Sequence, residues 1–149
     1  MDPYFIPKRL LSIQEPSLRL VNENECQEPS SRYGAFGYCW GGAEDASLQI
    51  KTTADTLAKR QSAIDTHSLT AVLRDAIFVA KTLSIPHIWV DSLCILQDDI
   101  SDWEQQCLEV AAIYGNAYVT IIAASSTSCL EGFLQQRGGS EFACHFSRL

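Results

Sequence analysis

The stretch Ile88-Trp-Val-Asp-Ser-Leu-Cys-Ile-Leu96 decides the fold class. It is apolar almost throughout and is broken only by Asp91-Ser92. A near-continuous apolar run predicts a strand covered on both faces, as in a parallel sheet; a half-exposed strand would alternate polar and apolar residues. Asp91 interrupts the run, and a carboxylate in that position needs a partner if it is buried.

The elements on either side follow from spacing. Upstream, Leu69, Val72, Leu73, Ala76, Ile77, Ala80 and Leu83 recur at helical intervals on one face. Ser68 is a suitable N-cap and Pro86 stops the helix. Downstream, Ser101-Asp-Trp-Glu104 has the S-x-x-E form of a capping box. The helix it opens places Trp103, Cys107, Val110, Ala111 and Tyr114 on its apolar face, with Glu104 at the edge and Glu109 well away. Gly115-Asn116 ends it, and Ala117 to Ala124 predicts the next strand. Further upstream, Tyr33-Gly-Ala-Phe-Gly-Tyr-Cys-Trp40 reads as a strand running into the Gly41-Gly42 turn. Leu10 to Ile13 and Leu18 to Val21 read as short strands around Glu15-Pro16-Ser17, followed by a loop from Asn22 to Arg32. Residues 43–67 are polar, with a short helix near Ala54 to Ala63. The order strand, helix, strand, helix, strand predicts an α/β domain with a mainly parallel sheet.

Composition narrows the function classes. A chain of 149 residues fits one domain. With 46% hydrophobic and 19% charged residues it is not a disordered chain. Lys plus Arg number 11 against 18 Asp plus Glu, a net charge of −7, which argues against binding along nucleic acid. No apolar run is long enough for a membrane span. Asp2, Lys8, Arg9 and Glu15 break up the amino terminus where a signal peptide needs a clean apolar stretch. Six scattered cysteines without a C-x-x-C pair predict buried free thiols in a cytoplasmic protein. The three scattered histidines supply no zinc spacing, so no metal is expected.

In an α/β sheet, ligands sit at the carboxyl ends of the strands. One such edge holds Tyr38, Trp40, Gly41 and Gly42, where aromatic faces can stack a ring and glycine lets a ligand approach the main chain. The plainer alternative is a core tryptophan beside a turn. The other edge holds Asp91, Gln97, Asp98, Asp99 and Asp102, which could grip ribose hydroxyls or Mg²⁺. The alternative there is turn and helix-start chemistry. Arg74-Asp75 is a charged step on an apolar helix, and Cys94 in its apolar run reads as inert core. Neither G-x-G-x-x-G nor G-x-x-x-x-G-K-[ST] is present.

Taken together, these motifs resemble the fungal heterokaryon-incompatibility (HET) domain. Tyr33 to Gly41 resembles its Y-x-A-L-S-Y-x-W-G block, and Thr52-Thr53 with Leu57 its T-T-x-x-x-L segment. Leu69 through Asp75-Ala-Ile77 resembles its L-P-x-T-x-x-D-A-I helix. Trp89-Val-Asp-Ser-Leu-Cys-Ile95, Gln97-Asp98, Asp102-Trp103, Ile113-Tyr114 and Gly132-Phe133 resemble the remaining blocks. The resemblance runs over residues 8–137, dividing the chain into a lead-in (1–32), a HET core (33–137) and a tail (138–149).

The resemblance implies a cytoplasmic effector of non-self recognition that promotes programmed cell death, acting with protein partners or by self-association. HET domains have been likened to Toll/interleukin-1 receptor (TIR) domains, which implies a flavodoxin/TIR-like three-layer fold and NAD as the substrate, cleaved with the help of a helix glutamate. Glu104 and Asp91 are then the catalytic candidates, and Tyr38, Trp40, Gly41, Asp75, Gln97 and Asp98 the ligand-binding ones. This copy departs from the family at Gly37 (serine), Thr70 (proline) and Gln106 (an acid), and Cys107 stands where a TIR-type glutamate would be. Those departures leave a non-enzymatic assembly domain, or an inactive copy, as the alternative.

Overall fold

The computed structural model describes residues 5–26 and 32–134. The expected tail at 138–149 and residues 27–31 of the expected loop lie outside them. Five strands form one sheet: β1 (Arg9–Ser12), β2 (Arg19–Asn22), β3 (Tyr33–Gly37), β4 (His87–Val90) and β5 (Val119–Ile122), in the order β2-β1-β4-β3-β5. The sheet is mixed rather than mainly parallel. β1 pairs antiparallel with β2 (Leu10↔Val21) and with β4 (Leu11↔Ile88), because a tight turn at residues 13–18 folds the first two strands back on each other. β3 pairs parallel with β4 (Ala35↔Trp89) and β5 (Ala35↔Thr120), each reached by a crossover through helix.

Five helices complete the fold: α1 (Ala43–Leu48), α2 (Ala54–Ser62), α3 (Ala71–Thr82), α4 (Asp91–Cys94) and α5 (Ile100–Asn116). Strand alternation sorts the layers. Tyr33 and Trp89 point to the α5 side, where the Tyr33 hydroxyl donates to Ile113 O (2.6 Å) and the Trp89 ring meets Tyr114 edge-on at 5.8 Å. Phe36 points the other way, toward α3 and the Phe133 ring at 5.9 Å. The core is close to fully buried at Leu10, Leu11, Phe36, Val72, Ile88 and Val90.

Several expectations shift for identifiable reasons. Leu93 to Leu96 is not strand: Ser92 N donates to Asp91 Oδ1 (2.7 Å), the chain coils into α4, and only the single bridge Thr52↔Leu96 remains. The N-cap of α3 is Thr70, with Ser68 in a 3₁₀ turn (Thr66–Ser68). Ser101 does not cap α5. Asp99 does, accepting from Asp102 N (3.1 Å), so Glu104 has no capping-box role. The buried side of α5 carries Asp102, Gln106 and Ile113, while Trp103 is 51% exposed and Cys107 is exposed. The apolar stripe therefore lies to one side of the contact with the sheet. Of the five described free cysteines, Cys26, Cys94 and Cys129 are buried, but Cys39 and Cys107 are exposed.

The polar side of α5 is buried because another strand neutralises it. Asp102 accepts from Arg9 in a short charge-assisted bond, from Lys8 Nζ (2.7 Å) and from Leu96 N (2.9 Å). Burial alone would raise its pKa; the Arg9, Lys8 and Leu96 bonds overcome that and bring it down to about 2.

Candidate functional site

The parallel register Phe36↔Val90 ends β3 and β4 side by side. The chain then carries Tyr38 and Trp40 beyond β3 and Asp91 directly beyond β4. Trp40 Nε1 donates to Asp91 Oδ2 at 3.0 Å, so the two strand ends meet in one hydrogen bond. The Tyr38 hydroxyl donates to Gln49 Oε1 (2.6 Å) and is hydrogen-bonded with Ser92 Oγ at 3.1 Å. Its ring stacks on Phe36 with centroids 4.9 Å apart. Gln97 Nε2 donates to Asp91 O and Ile95 O, closing the α4 turn, and Thr52 N and O bond Ser92 O and Gln97 N across it.

Burial pushes the Asp91 carboxyl above its ordinary value, against hydrogen bonds from Ser92 N and the Trp40 indole that favour the ionised form. Burial, reinforced by the charge of Asp91, likewise raises the Tyr38 phenol. Cys94 is fully buried and its thiol is pushed up to about 12, as inert core predicts.

Beside Asp91 lies a cleft of about 270 Å³. The strand ends contribute Trp40, Trp89, Asp91 and Gln97, and the flank of α5 contributes Trp103, Cys107, Val110 and Tyr114. Sequence reasoning read the α5 residues as core. Their 3.6-residue spacing was the available signal, but it does not distinguish a core face from a cleft wall. A larger groove of about 370 Å³ lies between the β1–β2 turn and α3, away from the strand carboxyl ends. Its cations are already engaged, Arg74 by Leu69 O (2.6 Å) and Lys81 by Glu15 (3.4 Å).

The structure thus brings together Tyr38, Trp40, Asp91 and Gln97, and places the other candidates elsewhere. Gly41 adjoins the site at φ +85°, where a Cβ would stand 3.0 Å from Asp45 Oδ2, so glycine is required there for the turn. Asp98 Oδ1 accepts from Ala54 N (2.9 Å) at the start of α2. Asp75, on the opposite face, accepts from Phe133 N (2.7 Å) and Leu134 N (3.0 Å) through one oxygen, and a Cβ on Gly132 would clash with that atom at 2.6 Å. Its position makes it a clasp for residues 132–134. Glu104 is exposed on the outer side of α5 and does not line the cleft.

Among the described residues no group of three His, Cys, Asp or Glu could hold a metal ion, and no helix is long and apolar enough to cross a membrane. No curated protein and no solved structure matches the sequence. A family model described as heterokaryon incompatibility protein (HET) matches residues 33–144, which include β3, β4, β5 and every cleft residue. On that match, spanning well over half its length, the chain belongs to the heterokaryon incompatibility (HET) family.

Proposed function

We propose that this chain is a HET-domain effector of fungal non-self recognition that promotes programmed cell death in the cytoplasm, and that it engages its ligand in the cleft at Asp91. Membership of the HET family points to heterokaryon incompatibility as the process. The observation that carries the site is Asp91 itself, a carboxylate at the carboxyl end of a parallel strand, tied to Trp40 and walled by aromatic rings.

NAD is the candidate substrate. In a TIR-like cleavage the bond from ribose C1′ to nicotinamide breaks, nicotinamide leaves with the electron pair, and water adds to the cationic sugar carbon. A carboxylate beside that carbon stabilises its developing positive charge, and this is the role we assign to Asp91. Glu104 takes no part in this reading. The parallel strands favour the TIR likeness: numbered in chain order, β3, β4 and β5 lie 2-1-3, as a flavodoxin-like sheet begins.

The test is cellular NAD, normalised to live cells, at early times after induced expression in a fungal host. A fall that precedes death, absent in Asp91→Asn, is the expected result; steady NAD in dying cells overturns NAD cleavage. The second reading, killing by assembly without catalysis, is favoured by the outward face of α5. Ile100 is 76% and Leu108 82% exposed there, and Gln106 and Cys107 replace the expected acids.

A further inference from the structure

The charge balance of the Asp91 cleft is one-sided. Among the described residues Asp91 is its one carboxylate, and no Lys, Arg or His lines it. Ion pairs among the described residues join Lys8 and Arg9 to Asp102, Arg19 to Glu25 and Lys81 to Glu15; none reaches Asp91. Its hydrogen-bond donors, Ser92 N and the Trp40 indole, are neutral. A largely buried carboxylate normally comes with a counter-charge. Here no ion pair among the described residues takes up the negative charge, and it is felt across the cleft: after burial, it is the cause that raises the Tyr114 phenol.

The walls add to that field. All three tryptophans of the chain, Trp40, Trp89 and Trp103, line the cleft together with Tyr114. Aromatic faces carry negative quadrupole charge and attract cations. The Trp40 ring already holds one, Lys51 Nζ at 5.5 Å from its centroid, outside the cleft lining. A phosphate in the cleft would face Asp91 with no cation among the described lining residues to offset it. A volume near 270 Å³ lies below the range for a drug-sized ligand, so it suits a single ring and leaves the rest of a larger molecule outside.

We propose that the cleft recognises a flat, positively charged heteroaromatic ring, with Asp91 as its counter-ion and the tryptophan faces as its walls. This deepens the proposed function and rests on it for the location of the site, not for the reaction. The cleft then discriminates by charge between rings of the same shape.

The experiment titrates the full chain with N1-methylnicotinamide and, separately, with neutral nicotinamide. Tryptophan fluorescence is the readout, since every tryptophan borders the cleft. The charged ring is expected to quench saturably and to bind on the order of tenfold tighter than the neutral one. Asp91→Asn should erase the preference, and Trp103→Leu, at a half-exposed position whose only described hydrogen bond is made by its backbone, should weaken binding of the charged ring while leaving the melting temperature unchanged. Equal affinities, or no binding of either ring by the folded wild-type chain, overturn the proposal. Failure of the two readings is separable. Charged-ring binding without loss of cellular NAD leaves this proposal standing and removes NAD cleavage. Loss of NAD with no preference between the rings does the reverse.

Discussion

Asp102 and Asp91 lie eleven residues apart in sequence, each in the first turn of a helix that follows β4, and their surroundings differ in kind. Asp102 is held between the guanidinium of Arg9 and the ammonium of Lys8, with its side chain 2% exposed. Asp91 has neutral donors and a cleft in front of it. The first carboxylate has its full charge balance inside the fold and serves to dock α5 against β1. The second is balanced only in hydrogen bonds, which keeps it available to something that is not part of the chain. Asp75 is intermediate, bonded to two backbone amides and to no cation among the described residues.

The contrast can be broken most forcefully at Asp102. Asp102→Ala leaves the buried Arg9 without its counter-ion, with only the Cys94 carbonyl still bonded to it, and should cost about 3–5 kcal/mol, read as a lowered urea midpoint. Its pH dependence has a definite sign. The folded pKa, about 2, lies below the value of about 3.9 for an unfolded chain, so this stabilisation is complete above pH 4 and is lost as pH falls toward 2. Asp102→Asn should remove that slope from the acid limb of the stability curve. Asp75→Ala forfeits two amide bonds to a carboxylate and should cost about 1–3 kcal/mol, with faster proteolysis near residues 132–134 as the accompanying sign.

Asp91→Asn should change stability by about 1 kcal/mol or less while abolishing toxicity. Because its folded pKa is raised, ionised Asp91 detracts from stability as pH climbs above the unfolded value, and the Asn variant should show a flatter profile there. A collapse of stability in that variant would make Asp91 as structural as Asp102 and erase the contrast. The smallest effect is expected at Leu108→Ser, within about 0.5 kcal/mol, since that side chain is 82% exposed. If toxicity is lost there while Asp91→Asn remains lethal, assembly replaces the cleft as the effector surface.

The strands and long helices were legible because apolar residues recur with the period of the element that buries them. That Trp40 and Asp91 would meet at the strand ends was legible because each follows an apolar run where a strand must stop. The orientation of α5 was not. A local pattern places Trp103 and Cys107 inward, yet both are exposed, and Asp102 is buried instead because Arg9, on a strand more than ninety residues earlier, and Lys8 neutralise it. The antiparallel half of the sheet was missed for a similar reason, since nothing near Leu11 indicates that its neighbour will be Ile88. Asp75, Asp98 and Glu104 share the acidic type of Asp91 but do not line its cleft, and sequence spacing does not separate the two arrangements.

The family match begins at Tyr33, yet Arg9, Leu10 and Leu11 lie upstream of it and are buried. A fragment trimmed to the match would strip β4 of its antiparallel neighbour and leave Asp102 without either cation. The segment that a family boundary would discard is thus part of the folding unit, and an expression boundary drawn at residue 33 should yield insoluble material where one drawn before Lys8 does not.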